Sequence, residues 1–170
     1  MSNKHITSAG MRRGKAPRTC CRRYVARGCM VNRKHWTPGN YVEIPISNHR
    51  YCYGVVTITE RLAIVDYCDI EKLQPEQIIG LPILFEVTVM KYGIGKKGWP
   101  LAGKVELNEQ FKTHPYYYKK DMINGKYIIV DHTWMNEIAA TKEECAKLEV
   151  AAAWDPCHIE ERLNEHYSIQ

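Results

Sequence analysis

Histidines and carboxylates are the side chains of this 170-residue sequence that could bind a catalytic metal ion. A metal-dependent hydrolase needs several of them to converge on one or two ions. The sequence contains no HxH or HExxH spacing that would bring them together. We therefore interpret His49 as a turn residue and His132 as a surface or strand-end residue, and we predict no cofactor. The residues on which a metal site could draw are His49, Asp66, Asp69, Asp131, His132 and His158.

Serine and cysteine are the next residues that could act in catalysis. All four serines lie near the chain ends or in a turn, and none stands in a GxSxG motif. Cys157 and His158 are adjacent, but neighbouring side chains on a helix point in different directions, which disfavours a catalytic pair. Seven cysteines without a CxxC pair, zinc-ligand spacing or secretory signal indicate a reducing compartment. We therefore expect a cytoplasmic protein whose body cysteines are small buried hydrophobic groups.

Charge is distributed unevenly along the chain. Residues 1–34 contain ten basic residues and no acidic ones, whereas residues 35–170 contain 14 basic and 19 acidic residues, a balance of −5. The first part also has little hydrophobic periodicity. We therefore predict a disordered basic tail over residues 1–32 and a folded domain over residues 33–170.

Three interpretations of this tail are open. It could bind nucleic acid or another anionic surface through phosphate contacts. It could be a targeting segment, although it lacks the apolar stretch of a secretory signal. It could also be upstream sequence read from an early start codon, with Met30 as the true start. Outside the tail we expect no nucleic-acid binding, and no run of 18 apolar residues is present to span a membrane.

Short segments that alternate apolar and polar residues predict a β-sheet. Tight turns separate the first three segments, which is typical of an antiparallel meander. The pair Asn124-Gly125 is typical of a hairpin turn, and we predict that the strand after it is the last clear one. The predicted strands are residues 41–46, 51–58, 62–68, 82–92, 99–105 and 126–131.

Helix signals are concentrated at the C-terminus. Thr141 and Glu144 have capping-box spacing, and Asp155 followed by Pro156 is typical of a helix start. A short helix or looped crossover is expected near Pro75. Together these patterns predict a single α+β domain, with a curved antiparallel sheet of about five to seven strands and a C-terminal helix or helix pair.

Several segments of the chain resemble the immunity protein 26 family. The segment at 51–55 is similar to the family's usual Tyr-Gly-Tyr-Gly-Arg, with Cys52 and Val55 in place of a glycine and an arginine. The resemblance covers about residues 33–167 and is most specific in the closing run. The other similar segments are residues 36–46, 82–85, 97–103, 143–149 and 154–163.

The resemblance implies a cytoplasmic bacterial immunity protein of a polymorphic toxin system, which binds a cognate toxin and blocks it. Many such toxins are nucleases and therefore basic, so an acidic body could present carboxylates where a nuclease expects phosphates. A few tyrosine or tryptophan anchors would supply most of the binding energy. The predicted contact residues are Tyr51, Tyr53, Asp66, Asp69, Glu71, Trp99, Glu160 and Glu161.

The same resemblance implies an enzymatic alternative, because the family label also includes a small phosphotriesterase that hydrolyses organophosphate triesters. Such an enzyme needs a hydroxide nucleophile and a stabiliser for the phosphoryl oxygens, which divalent metal ions usually supply. No spacing in this sequence assigns those roles. We therefore expect an inhibitor without enzymatic activity, and a divalent metal only under the phosphotriesterase alternative.

Overall fold

A computed structural model describes residues 33–169 of the chain. The predicted basic tail at residues 1–32 lies outside the described residues, and the interpretations of it stay predictions. In the described part, no helix is long and apolar enough to cross a membrane.

The larger of two sheets contains six strands in the order β10-β4-β3-β2-β1-β5. Neighbouring strands are antiparallel except for the pair β10–β4, which is parallel. The meander predicted for the first three strands is confirmed by their consecutive pairing. The strands are β1 (Asn40–Pro45), β2 (Tyr51–Val56), β3 (Leu62–Val65), β4 (Ile83–Val89), β5 (Leu101–Lys104) and β10 (Ala153–Trp154).

Both faces of the six-stranded sheet are buried in hydrophobic cores. Side chains alternate between the faces, so that Cys52 and Ile64 point into one core while Tyr53 and Val65 point into the other. Helix α3 (Pro156–His166) covers the first face, with Ile159 and Leu163 fully buried there. On the second face, helix α1 (Pro75–Gly80) contributes Ile78, and Phe111 packs beside it. The sheet is therefore enclosed, and its faces are not open to a partner.

The smaller sheet contains four strands in the order β8-β7-β6-β9. Strands β6, β7 and β8 form consecutive antiparallel pairs, and β9 joins β6 in parallel. The one-turn helix α2 (Lys142–Cys145) lies between β8 and β9 in the chain. The strands are β6 (Tyr117–Lys120), β7 (Tyr127–Val130), β8 (Glu137–Ala140) and β9 (Glu149–Val150).

The mixed α+β class, the largely antiparallel pairing and the C-terminal helix are confirmed. The Asp155 carboxylate accepts the Cys157 N–H at 3.1 Å at the start of α3. The capping box is also present, because the Thr141 hydroxyl accepts the Glu144 N–H at 3.2 Å and the Glu144 carboxylate accepts the Thr141 N–H at 2.7 Å.

The prediction of a single sheet is wrong, and so is the prediction that residues 126–131 form the last strand. Three strands follow β7, and α2 ends after one turn instead of forming a helix pair with α3. The three strands missed after β7 are alanine-rich or two residues long, so neither β propensity nor alternation marks them. Strand β6 (Tyr117–Lys120) was also not predicted. Pairing with distant strands overrides the helix propensity of the alanines at 151–153.

Candidate functional site

Residues 66–71, which we call the acidic loop, carry three carboxylates between β3 and α1. Asp66, Asp69 and Glu71 are exposed, and Ile70 between them exposes 66% of its surface. The loop is fixed to the start of β2, because the Tyr51 N–H donates to the Asp69 carbonyl at 2.7 Å. The acidic loop therefore presents two neighbouring carboxylates and one apolar side chain from an anchored backbone.

The carboxylates of the acidic loop have no basic partner in the described part of the chain. None of the ion pairs found among residues 33–169 includes Asp66, Asp69 or Glu71. The nearby Lys72 instead bonds the Glu43 carboxylate at 2.7 Å, with its ammonium 4.7 Å from the centroid of the Tyr51 ring. The loop therefore keeps its negative charge available to a partner.

Helix α3 ends beside the acidic loop. The Tyr167 hydroxyl donates to Asp66 at 2.9 Å, and burial together with this carboxylate raises the pKa of Tyr167, so the hydroxyl stays protonated and remains a donor. Glu161 is exposed on the same helix, six residues before Tyr167. This spacing corresponds to about 9 Å along the helix axis. It also turns the side chain by about 120° around the helix, so Glu161 adds exposed negative charge to α3 on a different side from Tyr167.

Three of the predicted contact residues are buried or half-buried instead of exposed. Tyr53 is fully buried, and its hydroxyl accepts the Leu73 N–H at 3.0 Å. Trp99 is 2% exposed, and its indole N–H donates to Glu160 at 2.8 Å. Glu160 is half-buried, and burial raises the pKa of its carboxyl. Because the rings of Tyr53 and Trp99 do not reach the surface, their role is to hold the fold, and Glu160 supports Trp99. The contact prediction stays open for Tyr51, Asp66, Asp69, Glu71 and Glu161.

A buried cation, Arg61, joins the two sheets. It is 4% exposed at the start of β3. Its Nε donates to the Thr88 hydroxyl of β4 at 3.1 Å, and its Nη2 donates to the His132 carbonyl after β7 at 2.6 Å. Its guanidinium carbon lies 4.5 Å from the centroid of the Tyr117 ring of β6. The interactions of Arg61 therefore link strands of both sheets.

Polar groups around Arg61 are only partly satisfied by the described residues. The Arg61 Nη1 and the Tyr117 hydroxyl are buried without a hydrogen-bond partner there. The nearby Glu86 accepts hydrogen bonds from Thr57 and Thr59, at 3.1 and 3.2 Å. Burial raises the pKa of Glu86 despite these bonds and the positive charge of Arg61. No local sequence pattern marks this cluster, since its members are far apart in the chain.

Glutamine at position 86 should make stability less dependent on pH. Because the pKa of Glu86 is raised in the folded protein, folding favours the protonated carboxyl. The protein therefore loses stability as the pH rises from the pKa of this group in the unfolded chain through its higher pKa in the folded protein. We expect the free energy of unfolding of Glu86→Gln, relative to the unchanged protein, to increase between pH 4 and pH 8. Urea titrations at several pH values measure this difference. Glu106→Gln, which alters an exposed carboxyl, should show no such trend, and a flat difference for Glu86→Gln would contradict the prediction.

The candidate metal ligands do not come together. Among residues 33–169, no group of three histidine, cysteine or acidic side chains is arranged to hold a metal ion. His49 lies in the turn Ser47–His49, as predicted, and His132 follows β7, where its ring stacks on that of His114 at 4.4 Å. Asp131 organises the β7–β8 turn through bonds to Thr133 and Asn136, which hold its pKa well below the usual range.

Comparison with protein families identifies a family for this chain. The family model for Immunity protein 26 matches residues 37–128, more than half of the chain. The match begins before β1 and ends within β7, so it includes five strands of the larger sheet and the acidic loop. The similar closing run at 143–163 lies outside it. No curated protein and no solved structure matches the chain.

Proposed function

Because the chain belongs to the immunity protein 26 family, we propose that it neutralises a cognate toxin by binding it in a stoichiometric complex. Membership of the family implies toxin neutralisation. The finer proposal is that the toxin is a basic protein, such as a nuclease, and that the acidic loop contacts it. The observation that supports this is the unpaired charge of Asp66, Asp69 and Glu71 on an anchored loop.

The acidic loop has the properties of a preorganised contact. Its backbone bonds to Tyr51 reduce the conformational entropy that binding would otherwise cost. Its carboxylates would attract a positively charged surface and accelerate association. Ile70 offers apolar surface between Asp69 and Glu71, which charge alone does not provide. The loop therefore combines electrostatic attraction with an anchor for short-range packing.

The acidic loop is too small to form a stable interface by itself. A standard interface buries about 800 Å² on each partner. Tyr51 beside the loop and Glu161 on α3 are the predicted contact residues that would extend it. We propose that Tyr51 forms one surface with the loop and supplies an aromatic contact, and that Glu161 adds electrostatic attraction from α3.

The test uses the full chain and the basic toxin domain encoded beside it. The variant Asp69→Asn/Glu71→Gln should bind the toxin about tenfold more weakly than the unchanged protein, chiefly because it associates more slowly. Added salt should reduce this difference in affinity, because it screens the charges. The matched control Glu106→Gln/Glu143→Gln removes the same charge from exposed sites outside the loop. It should bind like the unchanged protein. Association and dissociation rates from surface plasmon resonance, with thermal unfolding of each variant, separate weaker binding from misfolding.

Three outcomes would overturn the proposal or parts of it. Equal weakening in both double variants would show that net charge, not the acidic loop, governs association. Metal-dependent turnover of a chromogenic phosphotriester that follows the protein peak would favour the enzymatic alternative. Failure to form a complex with the toxin would reject neutralisation by binding.

A further inference from the structure

A cavity of about 640 Å³ opens at the surface beside the loop between β4 and β5. We call it the loop cavity. It is lined by His35 and by residues 91–92, 94–98 and 100–101, and the acidic loop does not contribute to it. Its volume is in the range of small-molecule binding sites, which is about 300–1,000 Å³.

The walls of the loop cavity are held by hydrogen bonds. The Trp36 indole N–H donates to the Lys91 carbonyl at 3.0 Å. The Gly95 N–H donates to the Trp99 carbonyl at 2.8 Å, and the Trp99 N–H donates to the Gly93 carbonyl at 2.7 Å. Gly95 has a φ of +114°, which side chains rarely adopt. The cavity is therefore shaped by the backbone before any ligand binds.

The charge lining the loop cavity is opposite in sign to that of the domain as a whole. Lys91, Lys96, Lys97 and His35 line it, and none of its lining residues is acidic. Lys91 and Lys96 are exposed and form no ion pair with another described residue. Three ammonium groups around one opening favour a multiply charged anion, and lysine is a common point-charge ligand of phosphate.

The rest of the lining is apolar. Ile94, Pro100 and Leu101 supply aliphatic surface, and Tyr92 contributes its ring. The Tyr92 hydroxyl is already bonded to Asp155, so the ring acts as a wall. A free phosphate ion would leave this surface unused, whereas a flat aromatic group attached to phosphate would cover it.

We propose that the loop cavity binds a small phosphorylated aromatic molecule of the nucleotide class. Lys91 and Lys96 hold the phosphates at the rim, and the aromatic group lies against Tyr92 and Pro100. Within residues 35–170 a nucleic-acid strand is a poorer fit, because that part of the chain is acidic in balance outside the loop cavity and offers no further basic track. The basic residues 1–34 directly precede His35, so the test must distinguish binding by them from binding by the cavity. This site is independent of the proposed contact with a toxin.

Isothermal titration calorimetry on the full chain with ATP as the probe tests the proposal. We expect the variant Lys91→Gln/Lys96→Gln to bind ATP at least tenfold more weakly than the unchanged protein. The control Lys126→Gln/Lys142→Gln removes the same charge from exposed sites outside the cavity and should leave binding unchanged. Residues 1–32 are present in every variant. If ATP binds to them instead of the cavity, the unchanged protein and both double variants will have equal affinities for ATP, and the proposal will be overturned.

Separate titrations define the ligand class. Adenosine and inorganic phosphate should each bind at least tenfold more weakly than ATP, because each lacks one of the two features that the lining matches. Phosphate binding as tight as ATP would reject the aromatic part of the proposal. A single-stranded oligonucleotide that binds through Lys91 and Lys96 while ATP does not would assign the cavity to nucleic acid instead.

Discussion

Replacing Arg61 with alanine should lower the free energy of unfolding by about 3 kcal/mol or more. The change removes the donors to Thr88 and to the His132 carbonyl, at a position that is 4% exposed. It also leaves Glu86 in a buried site without its positively charged neighbour. Because Arg61 bonds to both sheets, the loss should be greatest in the smaller one.

Urea unfolding measures the loss of overall stability in Arg61→Ala, and hydrogen exchange measures how that loss is divided between the two sheets. Amides of β6 and β7 should lose more protection than those of β2. Arg61→Lys keeps the charge but not the planar fork of donors, so its loss should be intermediate. Arg50→Ala is the control, because the Arg50 side chain has no hydrogen bond or ion pair with the described residues, and it should cost less than about 0.5 kcal/mol. A loss below about 1 kcal/mol for Arg61→Ala would show that Arg61 does not hold the sheets together.

The substitution Gly98→Ala should lower the free energy of unfolding by about 3 kcal/mol or more, because its methyl group would clash with backbone atoms. A Cβ atom at Gly98 would lie 2.1 Å from the Gly93 carbonyl oxygen and 2.6 Å from the Tyr92 carbonyl oxygen. Both are backbone atoms of the loop cavity, and the Gly93 carbonyl also accepts the Trp99 N–H. The 92–99 backbone would have to shift to accommodate the change.

Gly80→Ala provides the matched comparison for Gly98→Ala. A Cβ atom at Gly80 would meet no atom within 4 Å, and the residue ends helix α1. This substitution should be neutral or should stabilise the protein by up to about 1 kcal/mol. Thermal and urea unfolding of both variants measure the contrast. Similar stabilities would show that the 92–99 loop adapts easily and that the loop cavity is not preformed.

Strands β1 to β5 of the larger sheet could be predicted because their own residues specify them. Residues 41–46 and 51–58 alternate and are rich in β-branched and aromatic side chains, and turns bound them on both sides. The helix caps at Thr141 and Asp155 are likewise local signals, and both are present. Where a few consecutive residues determine the structure, the sequence was sufficient.

Long-range packing could not be predicted in the same way. The strand β10 exists because Ala153 and Trp154 pair with β4, more than 60 residues earlier. Composition marked Tyr53 and Trp99 as binding aromatics, but burial depends on which elements cover them. The loop cavity could not be predicted from local sequence, since its lining includes His35 from a distant part of the chain.

Enclosure of the six-stranded sheet separates recognition from folding. A mutation at Asp69 or Glu71 removes no side chain from either core and should cost the native state little stability. If the acidic loop contacts the toxin as proposed, a change in the toxin can be matched by a change in this loop while the rest of the fold stays the same.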